Sequence, residues 1–126
     1  MTRAFDQFRK DEGGGPAIEF GLVLPIMIAM LMLGVDGWLR MSHVQNAASA
    51  LHAGARYYQQ GGTEDEDAVA VTLAAWAHAP DDAEITITRE SSGSPEQTFV
   101  TIKATSTFTG LKGSEPITEQ EVVRVQ

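Results

Sequence analysis

An unbroken apolar run at residues 20–35 limits what this chain can fold into more than any other feature. The run contains no charged residue, and a single carboxylate, Glu19, stands just before it. Counted from Pro16, the apolar stretch is about 20 residues long, and at about 1.5 Å of rise per residue a helix of that length matches a hydrocarbon core of about 30 Å. The sequence therefore predicts one membrane-spanning helix near the N-terminus.

The remaining sequence is enough for one small unit. The chain has 126 residues and no cysteine. A membrane helix leaves about 65 residues after Gln60, which allow a small and marginal hydrophobic core. Without cysteine, disulfides and thiolate metal sites are excluded.

The negative charge of the chain is concentrated in its distal part. Residues 1–60 carry five acids and five bases, whereas residues 61–126 carry twelve acids and four bases and so account for the whole net charge of −8. An acidic surface repels phosphate backbones, so we expect no nucleic-acid partner. We interpret the acids as a solvated surface that aids solubility.

The residues before the apolar run carry a weak orientation signal. Arg3, Arg9 and Lys10 place this end in the cytoplasm by the positive-inside rule. Residues 13–15 are three glycines, and they precede Pro16, a residue that the first turn of a helix tolerates well. The glycines mark either the start of a helix or an accessible protease site.

A cleaved secretory signal peptide is the main alternative for this end of the chain. Such a peptide has an apolar core of about 7–15 residues and small residues before its cleavage site. The run at residues 20–35 is longer, and it continues past Gly34 into an amphipathic pattern. We therefore favour a retained membrane helix.

The helical pattern continues well beyond the apolar run. Apolar residues recur there at three- and four-residue steps, and Gly61 and Gly62 end the pattern as glycine does at helix C-termini. This predicts one helix over residues 16–59, with a kink at Pro25 and Trp38 as an anchor at the membrane boundary. The recurring positions are Val35, Trp38, Met41, Val44, Ala48, Leu51, Ala55 and Tyr58.

The distal sequence indicates a short helix followed by strands. Residues 63–66 read as a capping box with Thr63 as N-cap. The helix is expected to continue over residues 68–79 and to end before Pro80. Its predicted buried face consists of Val69, Leu73 and Trp76.

Period-two alternation predicts the strands. Residues 83–89 and 98–108 should pair as an antiparallel hairpin, residues 110–116 should form a loop, and residues 117–125 could supply a third strand. Two strands alone are marginal and need a helix over their apolar face. The predicted fold class is therefore α+β: a long transmembrane and amphipathic helix, then a short helix and a small antiparallel sheet.

No constellation of residues indicates catalysis or a cofactor. His43, His52 and His78 lack the spacing of metal ligands, so we interpret them as ordinary surface histidines and expect no metal site. No serine lies in a nucleophile-elbow pattern, and no glycine-rich phosphate loop follows a strand. We expect that the protein is not an enzyme.

Glu19 is the strongest candidate for a functional side chain. A carboxylate at the edge of a lipid-embedded helix costs a few kcal/mol and needs a cation, a proton or access to water. Position at the membrane boundary explains it without any function. Cleavage after Gly14 would instead create an α-amino group on Gly15, and in an assembly of parallel helices that amine could neutralise the Glu19 of a neighbour and fix the axial register.

Three stretches carry a resemblance to a known family. Residues 14–20 resemble the processing signal of Tad/Flp-type pilins, with a glycine, four residues, a glutamate and an aromatic. Residues 18–25 resemble the TadE-like family of minor pseudopilins, and residues 44–48 and 52–57 resemble the downstream segment of that family. The resemblance covers about residues 13–58, and the rest of the chain is not diagnostic.

The resemblance implies a processed component of a Tad (tight adherence) pilus. A prepilin peptidase of the inner membrane would cleave between Gly14 and Gly15, leaving Glu19 and Phe20 as the residues of assembly and register. The chain departs from the pattern in having Asp11 and Glu12 before the glycines and Pro16 after them, and three successive glycines make the scissile bond ambiguous apart from the spacing to Glu19.

These expectations define a domain organisation. Residues 1–14 form a cytoplasmic leader, residues 15–60 the transmembrane and amphipathic helix, and residues 61–126 an extracytoplasmic α/β domain. The expected partners are membrane lipid, the prepilin peptidase and other pilin or pseudopilin subunits, the last through the N-terminal helix, and the expected location is the inner membrane or the pilus. The alternatives are a membrane-anchored binding module with an acidic ligand-binding domain, and a secreted small adhesin.

Overall fold

The computed structural model of the protein describes residues 14–125, which fall into two compact units. One unit ends at Asp36 and the other begins at Gly37. The basic residues of the predicted leader, Arg3, Arg9 and Lys10, lie outside the described residues. The α+β fold class predicted from the sequence is confirmed: a long helix and a short helix precede a three-stranded antiparallel sheet.

The long helix, α1, runs over Gly15–Gln59, within one residue of its predicted start. Pro25 lies inside it without ending it, and the kink at Pro25 stays a prediction. The predicted stop at the glycine pair is confirmed. Gly61 adopts φ +91°, and the Gly62 amide donates to the Tyr57 carbonyl at 3.0 Å, which satisfies a carbonyl that the helix end would leave unpaired.

The first unit is the apolar part of α1. Every side chain over residues 15–35 is exposed, so none of the described residues covers this surface. The helix is long and apolar enough to cross a membrane. Hydrophobic residues that a soluble protein would bury are exposed here, which is typical of a surface that contacts lipid or another protein.

The sheet of the second unit contains β1 at Glu84–Ser92, β2 at Gln97–Gly110 and β3 at Gly113–Val125. β2 is central and both neighbours are antiparallel to it. The loop predicted over residues 110–116 is wrong, because pairing begins at Gly110 opposite Gly113 and leaves only a two-residue turn. Pro116 does not prevent this, since β3 is an edge strand with one side of its backbone unpaired.

The core lies between the second half of α1 and one face of the sheet. β2 supplies Val100, Ile102 and Ala104 at alternate positions, as a period-two strand does. The predicted stripe of α1 is correct at Leu51, Ala55 and Tyr58, whereas Val35, Trp38 and Met41 are exposed. The buried stripe follows helical spacing but favours small residues, namely Ala47, Ala50, Leu51, Gly54, Ala55 and Tyr58.

The short helix, α2, runs over Asp65–Ala75 and differs from the prediction at both ends. Glu64 is the N-cap residue and makes no side-chain cap, so the capping box at Thr63 is wrong. The helix stops four residues before the predicted end, with Trp76 extended. Its buried residues are Ala68 and Thr72, each one position before the predicted Val69 and Leu73. Trp76, directly after the helix, is buried as predicted.

A close approach of the two helices explains this face. A Cβ atom on Gly54 of α1 would overlap the Thr72 hydroxyl of α2 and lie 3.2 Å from Cδ1 of Ile102. Only a residue without a side chain fits between α2 and the sheet here. The small residues of both helices therefore face each other, and the larger Leu73 is left outside.

Candidate functional site

The predicted cleavage site is open at the beginning of α1. Gly14 is half-exposed and Gly15, the first residue of the helix, is exposed. A Cβ atom at either position would meet no atom within 4 Å. Pro16 lies in the first turn, where its missing amide hydrogen removes no helical hydrogen bond. None of the described residues therefore packs against the two glycines.

Glu19 and Phe20 lie one turn further along the same helix, and both are exposed. Within residues 14–125, Glu19 makes no hydrogen bond or ion pair. Positions four apart lie on nearly the same helix face, so Glu19 stands over Gly15 at a rise of about 6 Å. The carboxylate is thus positioned close to any amino group that cleavage would create on Gly15.

Pro25 lies in the exposed apolar part of α1, and the missing amide hydrogen leaves the carbonyl of Gly21 without its helical donor.

The structure brings Gly14, Gly15, Glu19 and Phe20 together only in the sense that they occupy consecutive turns at the start of one helix. They form a linear recognition segment and do not line a pocket. This arrangement suits a chain that is itself a substrate or a building block.

The second unit contains a polar network that the sequence did not predict. Arg89 of β1 forms an ion pair with Asp65 of α2 and donates a second hydrogen bond to the Thr63 carbonyl at 2.8 Å. Tyr58 of α1 donates to the same Asp65 carboxylate at 2.7 Å, and the Arg89 guanidinium lies 5.7 Å from the Tyr58 ring centre. Three elements are therefore joined at one carboxylate.

The network shifts the ionisation of its members. Hydrogen bonds from Arg89 and then from Tyr58 lower the pKa of Asp65 below its usual range. Burial, reinforced by the Asp65 carboxylate, raises the pKa of the Tyr58 phenol to about 12, and this residue lies in the distal part of α1, well past the apolar segment. The hydrogen bond to Asp65 also raises the pKa of Arg89. All three groups keep their ordinary charge at neutral pH.

One sequence signal could have revealed this network. Arg89 follows Ile85 and Ile87 at period two, so it occupies the face of β1 that points to the core. A basic residue on that face needs a carboxylate partner. The partner could not be chosen from the sequence, because several acids are available on α2.

His43 is not the ordinary surface histidine that we expected. It is half-buried, its Nε2 lies 2.7 Å from the Ser106 hydroxyl of β2, and its ring packs against Trp76 and Phe108 at 6.1 and 5.9 Å between ring centres. The buried Trp76 Nε1 has no hydrogen-bond partner among the described residues. His43 is thus the polar centre of a small aromatic cluster at one end of the core.

One ion pair and one histidine–carboxylate contact join α1 to β3. Arg40 contacts Glu115 at 2.9 Å, and the His52 Nδ1 lies 2.9 Å from a Glu121 carboxylate oxygen. His52 is therefore also engaged, whereas His78 is exposed. Within residues 14–125, no three His, Asp or Glu side chains come together as metal ligands.

The N-terminal site and α1 together match a family model. The match covers residues 14–56 and its description is TadE-like protein. This segment is TadE-like. The resemblance predicted from residues 14–25 and 44–57 is thereby confirmed, and it points to a protein associated with Tad pili. The matched residues run from the predicted cleavage position at Gly14 to the last turn of α1, so the sheet lies outside the match.

The comparisons with curated proteins and with solved structures produced no match to this chain. The TadE-like match is therefore the comparison that bears on function, and the family it names consists of pilus assembly components.

Proposed function

We propose that this protein is a minor pseudopilin of a Tad, or Flp-type, pilus. The observation that carries the proposal is the TadE-like match that begins at Gly14 and includes Glu19 on an exposed apolar helix. A subunit that is first held in a membrane and then packed among other helices needs an apolar surface that its own fold does not cover. α1 has that surface over residues 15–35.

Processing is the first step of the proposed function. A prepilin peptidase cleaves between Gly14 and Gly15 and removes residues 1–14 as the leader. The open glycine pair provides the access that an endopeptidase needs, and residues 15–60 remain as the membrane and assembly helix. Residues 61–126 then form the extracytoplasmic domain.

Assembly register is the second step. Cleavage converts Gly15 into the N-terminal residue and gives it a positive charge. In a bundle of parallel helices, this amine pairs with Glu19 of a neighbouring subunit, and an isolated carboxylate in lipid is too costly to remain unpaired. The pairing fixes how far one helix is displaced along the next, and Phe20 packs beside it.

Membrane topology follows from the same scheme. The N-terminus is cytoplasmic, the helix crosses the inner membrane once, and the acidic second unit lies on the outer side. The chain has no cysteine, so single cysteines at Thr2 and Ser94 can report topology. In cells without a prepilin peptidase, where the leader is retained, a membrane-impermeant maleimide added to spheroplasts should label T2C only after lysis and S94C before it; the reverse pattern would refute the orientation.

Co-expression with a prepilin peptidase and measurement of the intact mass test the processing. We expect the loss of residues 1–14, and the mass distinguishes this bond from its neighbours in the glycine run by one glycine residue. A G14I variant, in which a branched side chain occupies the cleavage position, should stay uncleaved. An intact wild-type N-terminus, under conditions that process a control pilin, would refute the proposal.

The Glu19→Ala variant tests the register step and separates the pseudopilin from a membrane-anchored binding module. The pseudopilin reading predicts that E19A is still inserted in the membrane but no longer co-purifies with pilin subunits. Glu19→Gln is the matched variant, since it keeps the shape without the charge, and it should fail in the same way. Unchanged co-purification of both variants would refute the register step, and a wild-type protein that does not co-purify with pilin subunits would favour the binding module.

A further inference from the structure

The turn between β2 and β3 lies at the same end of the second unit as Gly37, where the chain leaves for the apolar run. Arg40 of α1 contacts Glu115 of β3, and His52 contacts Glu121. Twelve residues of helix span about 18 Å and six residues of strand span about 20 Å, so α1 and β3 run side by side in the same direction. Towards lower residue numbers, α1 leads to Gly37 and β3 leads to the turn that joins it to β2. Gly37 and this turn therefore lie at the same end of the second unit.

At this end of the second unit, the turn between β2 and β3 projects further than Gly37, the first residue of the unit. From Glu115 to Leu111 the strand covers about 13 Å, whereas from Arg40 to Gly37 the helix covers about 5 Å. The contact between His43 and Ser106 gives a second measure. From Ser106 to Leu111 the strand β2 covers about 16 Å, whereas from His43 to Gly37 the helix covers about 9 Å. Both measures place the turn about 8 Å beyond Gly37 along the helix direction.

The side chains at this end are unusual for the acidic second unit. Leu111 is 60% exposed at the tip of the turn, and Trp38 is 68% exposed, with Leu39 and Met41 exposed beside it on α1. Lys112, the other residue of the turn, is exposed as well. An exposed leucine, tryptophan and methionine with a neighbouring lysine form the combination that interfacial membrane contacts use.

The covalent chain limits what can cover this surface. The apolar run ends at Val35, two residues before Gly37. When the run spans a membrane, the lipid surface must pass close to this end of the second unit. The opposite end, with Ser94 and Val125, is separated from it by the full length of the strands.

We propose that Leu111 and Lys112 form a second membrane contact, with Leu111 inserted among the lipid headgroups and Lys112 beside their phosphates. The inference rests on the proposed membrane anchoring of α1. The turn is built to hold this position, because Gly113 follows it at φ +109°, a conformation that glycine accommodates without strain. The contact fixes which face of the second unit points toward the membrane, and so which face is presented to an incoming subunit.

Single cysteines carrying an environment-sensitive fluorophore test the contact in the full chain. The chain is placed in vesicles of phosphatidylethanolamine and phosphatidylglycerol, with labels at Leu111→Cys, at Val122→Cys as a matched exposed control on β3, and at Leu31→Cys in the apolar run. We expect blue-shifted emission at 111, together with at least threefold stronger quenching by headgroup-nitroxide lipids than at 122. Equal water exposure at 111 and 122, with the label at 31 in lipid, would overturn this inference alone. A label at 31 in water would overturn the membrane anchoring with it.

The role of Lys112 has its own control. Lys112→Glu should reduce the quenching of the 111 label at least twofold in the anionic vesicles and leave it unchanged in vesicles of phosphatidylcholine. Lys103→Glu, on the outer face of β2, should change neither. An identical signal for the two variants in anionic vesicles would show that Lys112 does not contact the headgroups.

Discussion

Gly54 illustrates how a single missing side chain determines the packing of the second unit. The position lies inside a helix, where glycine costs about 0.5–1 kcal/mol relative to alanine. The cost is offset because α2 and β2 both approach α1 at this point, with Thr72 and Ile102 where a Cβ atom would stand. A residue that weakens the isolated helix therefore permits the close contact of three elements.

Gly54→Ala should lower the free energy of unfolding by about 1–3 kcal/mol, because an inserted methyl group forces apart atoms that are already in contact. Gly37→Ala is the matched control, since it lies in the same helix with no atom within 4 Å of the added Cβ. It should be neutral or slightly stabilising. Urea unfolding of the full chain in detergent measures both, and a neutral G54A would contradict the packing described here.

Asp65 should make stability depend on pH in the acid range. Its pKa is lowered in the folded protein by Arg89 and Tyr58, so the carboxylate contributes stability that is fully present above the ordinary value of 3.8 and is lost as pH falls through the lower folded-state pKa. The side chains are partly exposed to solvent, so the contribution is small.

Thermal unfolding between pH 6 and pH 2 tests this linkage. Asp65→Asn should be less stable than the wild type at pH 6, and the difference should shrink below pH 4. Asp81→Asn, at an exposed position three residues before the start of β1, serves as the control and should follow the wild type throughout. A difference between D65N and wild type that is constant over this range would show that the hydrogen bonds, and not the charge, matter.

At the scale of elements, α1 is one continuous helix whose two halves differ in burial. Its first half is exposed on all sides, whereas its second half buries a stripe of small residues against the sheet and α2. No interruption marks the change, because helical hydrogen bonds continue through both halves regardless of what surrounds the side chains. The burial pattern, not the backbone, separates the two halves.

Leu51→Ala should destabilise the second unit by about 2–5 kcal/mol, because it removes a large side chain that is only 2% exposed and leaves a cavity. Leu39→Ala is the matched variant, twelve residues earlier in the same helix and 46% exposed. It should change the unfolding free energy by less than about 1 kcal/mol. Chemical unfolding followed by tryptophan fluorescence compares the two, and equal effects would refute the division of α1.

How much of this could be read from the sequence differs between elements. The ends of α1 and the order of the strands were predicted, because apolar periodicity and glycine act locally. The start of β3 was missed by four residues, since glycine and proline near residue 113 resemble a loop until the ladder to β2 is known. The buried face of α2 was also missed, because it depends on the gap that Gly54 leaves on another helix.

At the scale of the whole molecule, the chain combines a unit that needs an apolar environment with a unit that contains its own core. The second compact unit begins inside α1, at Gly37. The reason is that the helix over residues 47–58 supplies one whole side of the core. The domain boundary after residue 60 stays a prediction.

A truncated chain containing residues 37–126 should therefore fold and remain in solution. We expect a cooperative thermal transition by circular dichroism and much weaker sedimentation with vesicles than that of the full chain, which should sediment completely. A chain that begins at residue 61 is the control, and it should show no cooperative transition because Leu51, Ala55 and Tyr58 are missing from its core. Cooperative folding of the chain that begins at residue 61 would support the predicted domain boundary after residue 60.

The sequence by itself determined the membrane-length helix, the glycine pair before it, the position of Glu19 and the TadE-like identity of the segment. These features depend on local composition and spacing, which a linear pattern records completely. Only the tertiary structure decided that Arg89 meets Asp65, that His43 is enclosed by Trp76 and Phe108, and that the turn at Leu111 lies beside Gly37. Those contacts join residues far apart in the chain, and their geometry is set by the packing of α1 on the sheet.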